Sequence, residues 1–125
     1  MMKYNPLEQP EAEEWFSLDE AERMDLVATY HKRIRANLPN PHLHATFHVI
    51  IENQLAEGIP AVIETLRRLS DEGLDRHDAL HAIGSVLAKH IFKLLKGELN
   101  PHDPNAPYFR ELSSLTAANW LNAER

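Results

Sequence analysis

Two pairs of histidines stand four residues apart, His44 with His48 and His77 with His81, in a chain of 125 residues that holds 8 histidines and no cysteine. On an α-helix, residues at i and i+4 lie one above the other on a single face, so each pair can direct two imidazoles at one point. Two such helices lying side by side would bring four ring nitrogens around one ion. Glu52, four beyond His48, extends the first pair into a His-x-x-x-His-x-x-x-Glu ladder, as a further ligand or as the acceptor that orients an imidazole N–H. Imidazoles with a carboxylate suit zinc, iron, nickel or copper rather than magnesium or calcium. The predicted metal ligands are therefore His44, His48, His77, His81 and Glu52, with zinc, iron or nickel as the ion.

Other chemistry is thin. The absence of cysteine removes thiolate zinc sites, iron–sulfur ligation, disulfides and thiol nucleophiles together. The Glu-x-x-His pairs of di-iron bundles do not occur. His77 and Asp78 open a His-Asp-x-x-His stretch, which sets an acid where zinc proteases hold their general base, but Asp has the shorter arm and no third histidine follows at the usual distance. There is no glycine-rich phosphate loop and no Gly-x-Ser-x-Gly elbow, and neither Tyr4, Tyr30 nor Tyr108 is singled out by its placement. His31 and His90 read as partly exposed helix residues, and His42 and His102 are not assigned to the site. Four imidazoles around tetrahedral zinc leave no open position, which favours a structural or sensing ion over catalysis. The competing reading is a non-enzymatic helical interaction module forming a homo-oligomer, with hydrogen-bonded structural histidines. Its motive is the aromatic surplus near the chain ends, Trp15, Phe16, Tyr108, Phe109 and Trp120.

The elements that must position these residues are helical. Ser17 with Glu20 three residues on reads as a capping box opening a helix over 18–36, ahead of Pro39. Asn40-Pro41 is a cap and a first-turn proline, and Leu43, Phe47, Ile50, Ile51 and Leu55 repeat at helical spacing until Gly58. A short helix starts at Pro60 and closes at Gly73. Asp75 caps the longest, 76–96, which ends at Gly97. After the proline-rich stretch 98–107, two further helical turns follow, the second capped by Thr116. No period-two alternation occurs. The predicted fold is an all-α small bundle of about four helices plus a helical C-terminal tail, with residues 1–16 as an acidic N-terminal arm and 17–125 as a single helical domain.

The net charge of -6 resides wholly in residues 1–25, where eight acids face Lys3 and Arg23; the remainder is balanced. With no strongly basic face, nucleic acid is not an expected partner. No apolar run approaches 18 residues and no apolar leader opens the chain, so neither a membrane nor export is expected and the predicted location is the cytoplasm. A second copy of the chain, as a homodimer, or another protein is the expected partner.

The segments NPHLHATFHVIIENQLAEGIP and DRHDALHAIGSVLAKHIFKLLKG resemble a bacterial family of small proteins known as a domain of unknown function. The likeness rests on an Asn-Pro-x-Leu-His-x-x-x-His segment before Ile-x-x-Gln, then an acid ahead of His-x-x-x-His at the start of a long helix. Here these are Asn40, Pro41, Leu43, His44, His48, Ile51 and Gln54, then Asp75, His77 and His81. The likeness spans residues 40–97 and departs at the N-terminus, where this chain has a short acidic arm. It implies no catalytic role for any residue.

Overall fold

The computed structural model describes residues 2–34 and 40–123. All regular structure among them is α-helical: α1 Ala12–Ser17, α2 Glu20–Arg33, α3 Pro41–Ala56, α4 Pro60–Asp71, α5 Arg76–Leu95, α6 Ala106–Ser114 and α7 Ala117–Ala123. The all-α expectation holds, but about four helices plus a tail is corrected to seven helices among the described residues. None of them is long and apolar enough to cross a membrane.

The correction begins in the N-terminal arm. The Glu11 carboxylate accepts from the backbone N–H groups of Glu13 and Glu14, satisfying donors that an isolated first turn would leave open. Trp15 then anchors the short α1, wholly buried, with Nε1–H donating to Asn53 Oδ1 at 2.7 Å. Ser17 does not cap α2. Its hydroxyl is committed to the Glu14 carbonyl at 2.6 Å, closing α1, and Leu18 is extended. The second, overlapping box opens α2 instead: Asp19 accepts from Glu22 N–H at 2.8 Å and Glu22 accepts from Asp19 N–H at 3.0 Å. Residues 35 and 36 of the predicted first helix, and Pro39 beyond it, lie outside the described residues.

The chain divides into two compact units, Met1–Ile59 and Pro60–Arg125. In the first, α2 packs on α3. Its buried cluster comprises Tyr4, Trp15, Val27, Ala45 and Val49, with Met24, Leu26 and Tyr30 against it. Asn40 caps α3 by accepting from Leu43 N–H at 3.1 Å, with Pro41 at the first position, as the sequence predicts. The helix ends at Gly58, whose φ of +77° lets Ile59 N–H reach back to the Gln54 carbonyl at 3.0 Å.

In the second unit α5 packs on α4, α6 and α7. Asp75 caps α5 through Asp78 N–H at 2.8 Å. What turns the C-terminal tail into two defined helices is a pair of side chains on or just beyond α4. Arg68 donates to the Leu112 carbonyl at 2.8 Å and to the Leu115 carbonyl, occupying acceptors at the end of α6. Glu72 accepts from Ala117 N–H at 2.8 Å, and Thr116 Oγ1 accepts from Asn119 N–H at 3.0 Å, so the start of α7 is satisfied as well.

Candidate metal centre

In the first unit, the capped start of α3 sets the phase that places His44 and His48 one turn apart, their ring centroids 4.8 Å from one another. A third imidazole joins them from α2. The His31 ring lies 4.6 Å from that of His44 and 5.0 Å from that of His48. His31 and His48 are buried and His44 is half-buried. Three imidazoles in mutual contact put three potential lone pairs in a small volume, where one cation could draw on them together.

Hydrogen bonds orient two of the three. His31 Nδ1 lies 2.8 Å from the Val27 carbonyl, which can only accept, so Nδ1 carries the hydrogen and Nε2 of the neutral ring carries the lone pair. His48 Nδ1 lies 3.1 Å from the Tyr4 hydroxyl, and that hydroxyl donates to Glu52 Oε2 at 2.6 Å. Tyr4 and Glu52 are themselves buried, so these bonds are made away from bulk water, where an unmet polar group is costly. Glu52 is thus placed on Tyr4, one hydrogen bond removed from His48.

In the second unit, the Asp75 cap starts α5 so that His77 and His81 fall on successive turns, with ring centroids 4.3 Å apart. Asp78 lies between them in sequence. Its carboxyl is held above the usual aspartate range, first by burial and then by the neighbouring charge of Asp75.

The candidate metal ligands are thus His31, His44 and His48 in the first unit and the pair His77 and His81 in the second. An all-imidazole donor set fits zinc, iron, nickel or copper and offers nothing to magnesium or calcium, which take oxygen.

The four histidines predicted from their spacing form one pair on each of two helices, and His31 joins the first pair from α2. Its signal was present in the sequence: Arg23, Val27 and His31 recur every four residues and are the buried residues of α2. Reading His31 as partly exposed is therefore corrected. His90 is also buried, stacked on Tyr108 with centroids 5.3 Å apart, whereas His42 and His102 are exposed. Tyr4 carried no sequence signal at all.

Helices alone, with a cluster of histidines as the main concentration of ligand chemistry, define a small all-α protein with a candidate transition-metal centre. Residues 8–113 match the family model described as Domain of unknown function (DUF1841), and the chain belongs to that family. All five histidines fall inside the matched residues; Tyr4 precedes them. No curated protein and no solved structure matches the chain significantly.

Proposed function

We propose that this protein binds a first-row transition-metal ion through His44, His48, His77 and His81, with His31 as a fifth imidazole and Glu52 as a supporting carboxylate. The observation that carries the reading is the mutual contact of the His31, His44 and His48 rings in the first unit, together with the adjacent pair His77 and His81 on one helix of the second. It is supported by the bonds at Nδ1 of His31 and His48, since metal-ligating histidines ordinarily give their other ring N–H to a carbonyl or a carboxylate-linked acceptor. Zinc, iron and nickel are the ions proposed. Four imidazoles would close a tetrahedral zinc site and suit a structural or sensing role; five would leave a six-coordinate iron or nickel one position for a small molecule. The two His-x-x-x-His segments are proposed as the part of the family pattern that serves the metal.

The test is elemental analysis of protein made without a polyhistidine tag and purified without chelator, followed by titration with zinc, nickel and ferrous ions. About one ion per chain is expected. Protein that arrives metal-free and takes up none of the three ions would overturn the reading.

A second reading has its own observation. Phe92, Leu94 and Leu95 near the end of α5 are exposed, Leu95 to 80%. Apolar groups left open in this way support a homodimer through that end of α5. Sedimentation of wild type and Leu95→Glu tests it: a dimer that the variant dissociates is expected, and a monomeric wild type ends it. The acidic arm and the balanced remainder support a protein without a nucleic-acid partner.

A further inference from the structure

We infer that Tyr4 and Glu52 are positioning residues that hold His48 in the tautomer able to ligate a metal, and that docking of the N-terminal arm is thereby coupled to metal affinity. The inference rests on the metal-binding reading above and specifies what controls that site.

The argument is one of hydrogen counting. A phenol has one hydrogen to give, and Tyr4 gives it to Glu52 Oε2 at 2.6 Å. The same oxygen lies 3.1 Å from His48 Nδ1, so it serves there as the acceptor, and Nδ1 must carry the hydrogen. The order is therefore His48 Nδ1–H to Tyr4 oxygen, then Tyr4 O–H to the Glu52 carboxylate. Nε2 of His48 is left with its lone pair. A cation drawing on Nε2 makes Nδ1–H a stronger donor, and the chain passes that polarisation to a carboxylate only 1% exposed. The cation in turn offers this buried negative charge a compensating one. His31 is oriented by the Val27 carbonyl, a neutral acceptor on its own helix. His48 alone of the two is held by an anion through a residue from another segment.

That residue belongs to the arm. Tyr4 sits outside any helix, yet it is buried, its ring 6.1 Å from Trp15 and 6.2 Å from Tyr30. Pro6 is buried beside it in sequence. Undocking the arm would remove Tyr4 from both partners at once. Because coupling between two binding events is reciprocal, an ion on His48 must strengthen docking by the factor by which docking strengthens binding of the ion.

The experiment uses the full chain with ¹⁵N-labelled histidine. In the apo protein the His48 ring is expected as the Nδ1–H tautomer, and Tyr4→Phe, which keeps the ring packing, is expected to lose that preference. Zinc titration should show affinity about 10–100-fold weaker in Tyr4→Phe than in wild type. Glu52→Gln retains an acceptor oxygen without the charge, and is expected to keep the tautomer while losing a smaller part of the affinity. Zinc should slow amide exchange at residues 3–8 of the wild type and not of Tyr4→Phe. An apo wild-type His48 bearing its hydrogen on Nε2, or equal zinc affinity in wild type and Tyr4→Phe, would overturn the inference. Wild type that binds no zinc, cobalt, nickel or ferrous ion overturns the metal reading instead, and with it the coupling to affinity; the tautomer measurement, made without any ion, still judges the relay.

Discussion

The His31 ring lies edge-on to the His44 ring at 4.6 Å, although one residue is near the end of α2 and the other in the first turns of α3. Two imidazoles at that separation repel when both are charged and can share a cation when both are neutral. The relationship makes the packing of α2 on α3 a determinant of any metal affinity, and it turns a histidine that belongs to no His-x-x-x-His pair into a ligand candidate.

Replacing His31 by Ala removes a buried ring and frees the Val27 carbonyl of its side-chain donor. The expected cost is about 1–3 kcal/mol in the absence of metal. With zinc present the variant should lose a further increment that the wild type gains from the ion. Urea unfolding of both proteins, with chelator and with zinc, checks this; a loss that is the same in both media would confine His31 to a structural role.

His81→Ala tests the second unit's contribution. His81 sits in the second turn of α5, where Ala is the better helix former, so the apo variant should stay within about 1–3 kcal/mol of wild type. At free metal 100 times the dissociation constant the wild type should gain about 2.7 kcal/mol and the variant little of it. Thermal unfolding with zinc, nickel and ferrous ion reads the difference directly. Wild-type curves that no ion moves would remove His81 from the ligand set.

Acidification should release the ion. Ligation needs neutral imidazole, so affinity is expected to fall as pH drops through about 6.5, with several protons taken up for each ion lost. Equilibrium dialysis against zinc at pH 7.5, 6.5 and 5.5 measures it. Undiminished zinc at the lowest pH would point to ligands other than histidine.

Asp78 predicts a stability change of the opposite sense to that of most aspartates. Burial and the Asp75 charge raise its carboxyl above the ordinary range, so the folded chain holds this proton more tightly than the unfolded chain does. The penalty for ionised Asp78 is complete above the raised value and is relieved as pH falls through it, so this group alone makes the fold more stable toward acid. Asp75→Asn, which keeps a good N-cap, should bring the Asp78 titration partway back down, because burial remains. Carbon-detected titration of the Asp78 carboxyl in both proteins is the check; an unmoved midpoint in the variant would exclude Asp75 as a cause.

Each His-x-x-x-His pair was legible in the sequence because its geometry is internal to one helix. Once Asn40-Pro41 and Asp75 set the starts of α3 and α5, the helical repeat alone stacks His44 on His48 and His77 on His81. The stops at Gly58, Gly73 and Gly97 were legible for the same local reason, and all three adopt the positive φ that such ends require. The break at Leu18 was not, since Ser17 and Asp19 each head a valid capping box. Only the burial of Trp15 and the capture of the Ser17 hydroxyl by Glu14 decide between them.

By itself, then, the sequence determined the all-α class, the two histidine pairs and the carboxylate one turn beyond His48, because these follow from helical periodicity and end signals acting over a few residues. Tertiary structure decided the rest. His31 reaches His44 through the packing of α2 on α3, and Tyr4 reaches His48 and Glu52 across separations of 44 and 48 residues. No periodicity links positions so far apart in the chain. They meet because the apolar faces around Val27, Ala45 and Val49 must be buried together, and that burial carries the polar side chains beside them into hydrogen-bonding range.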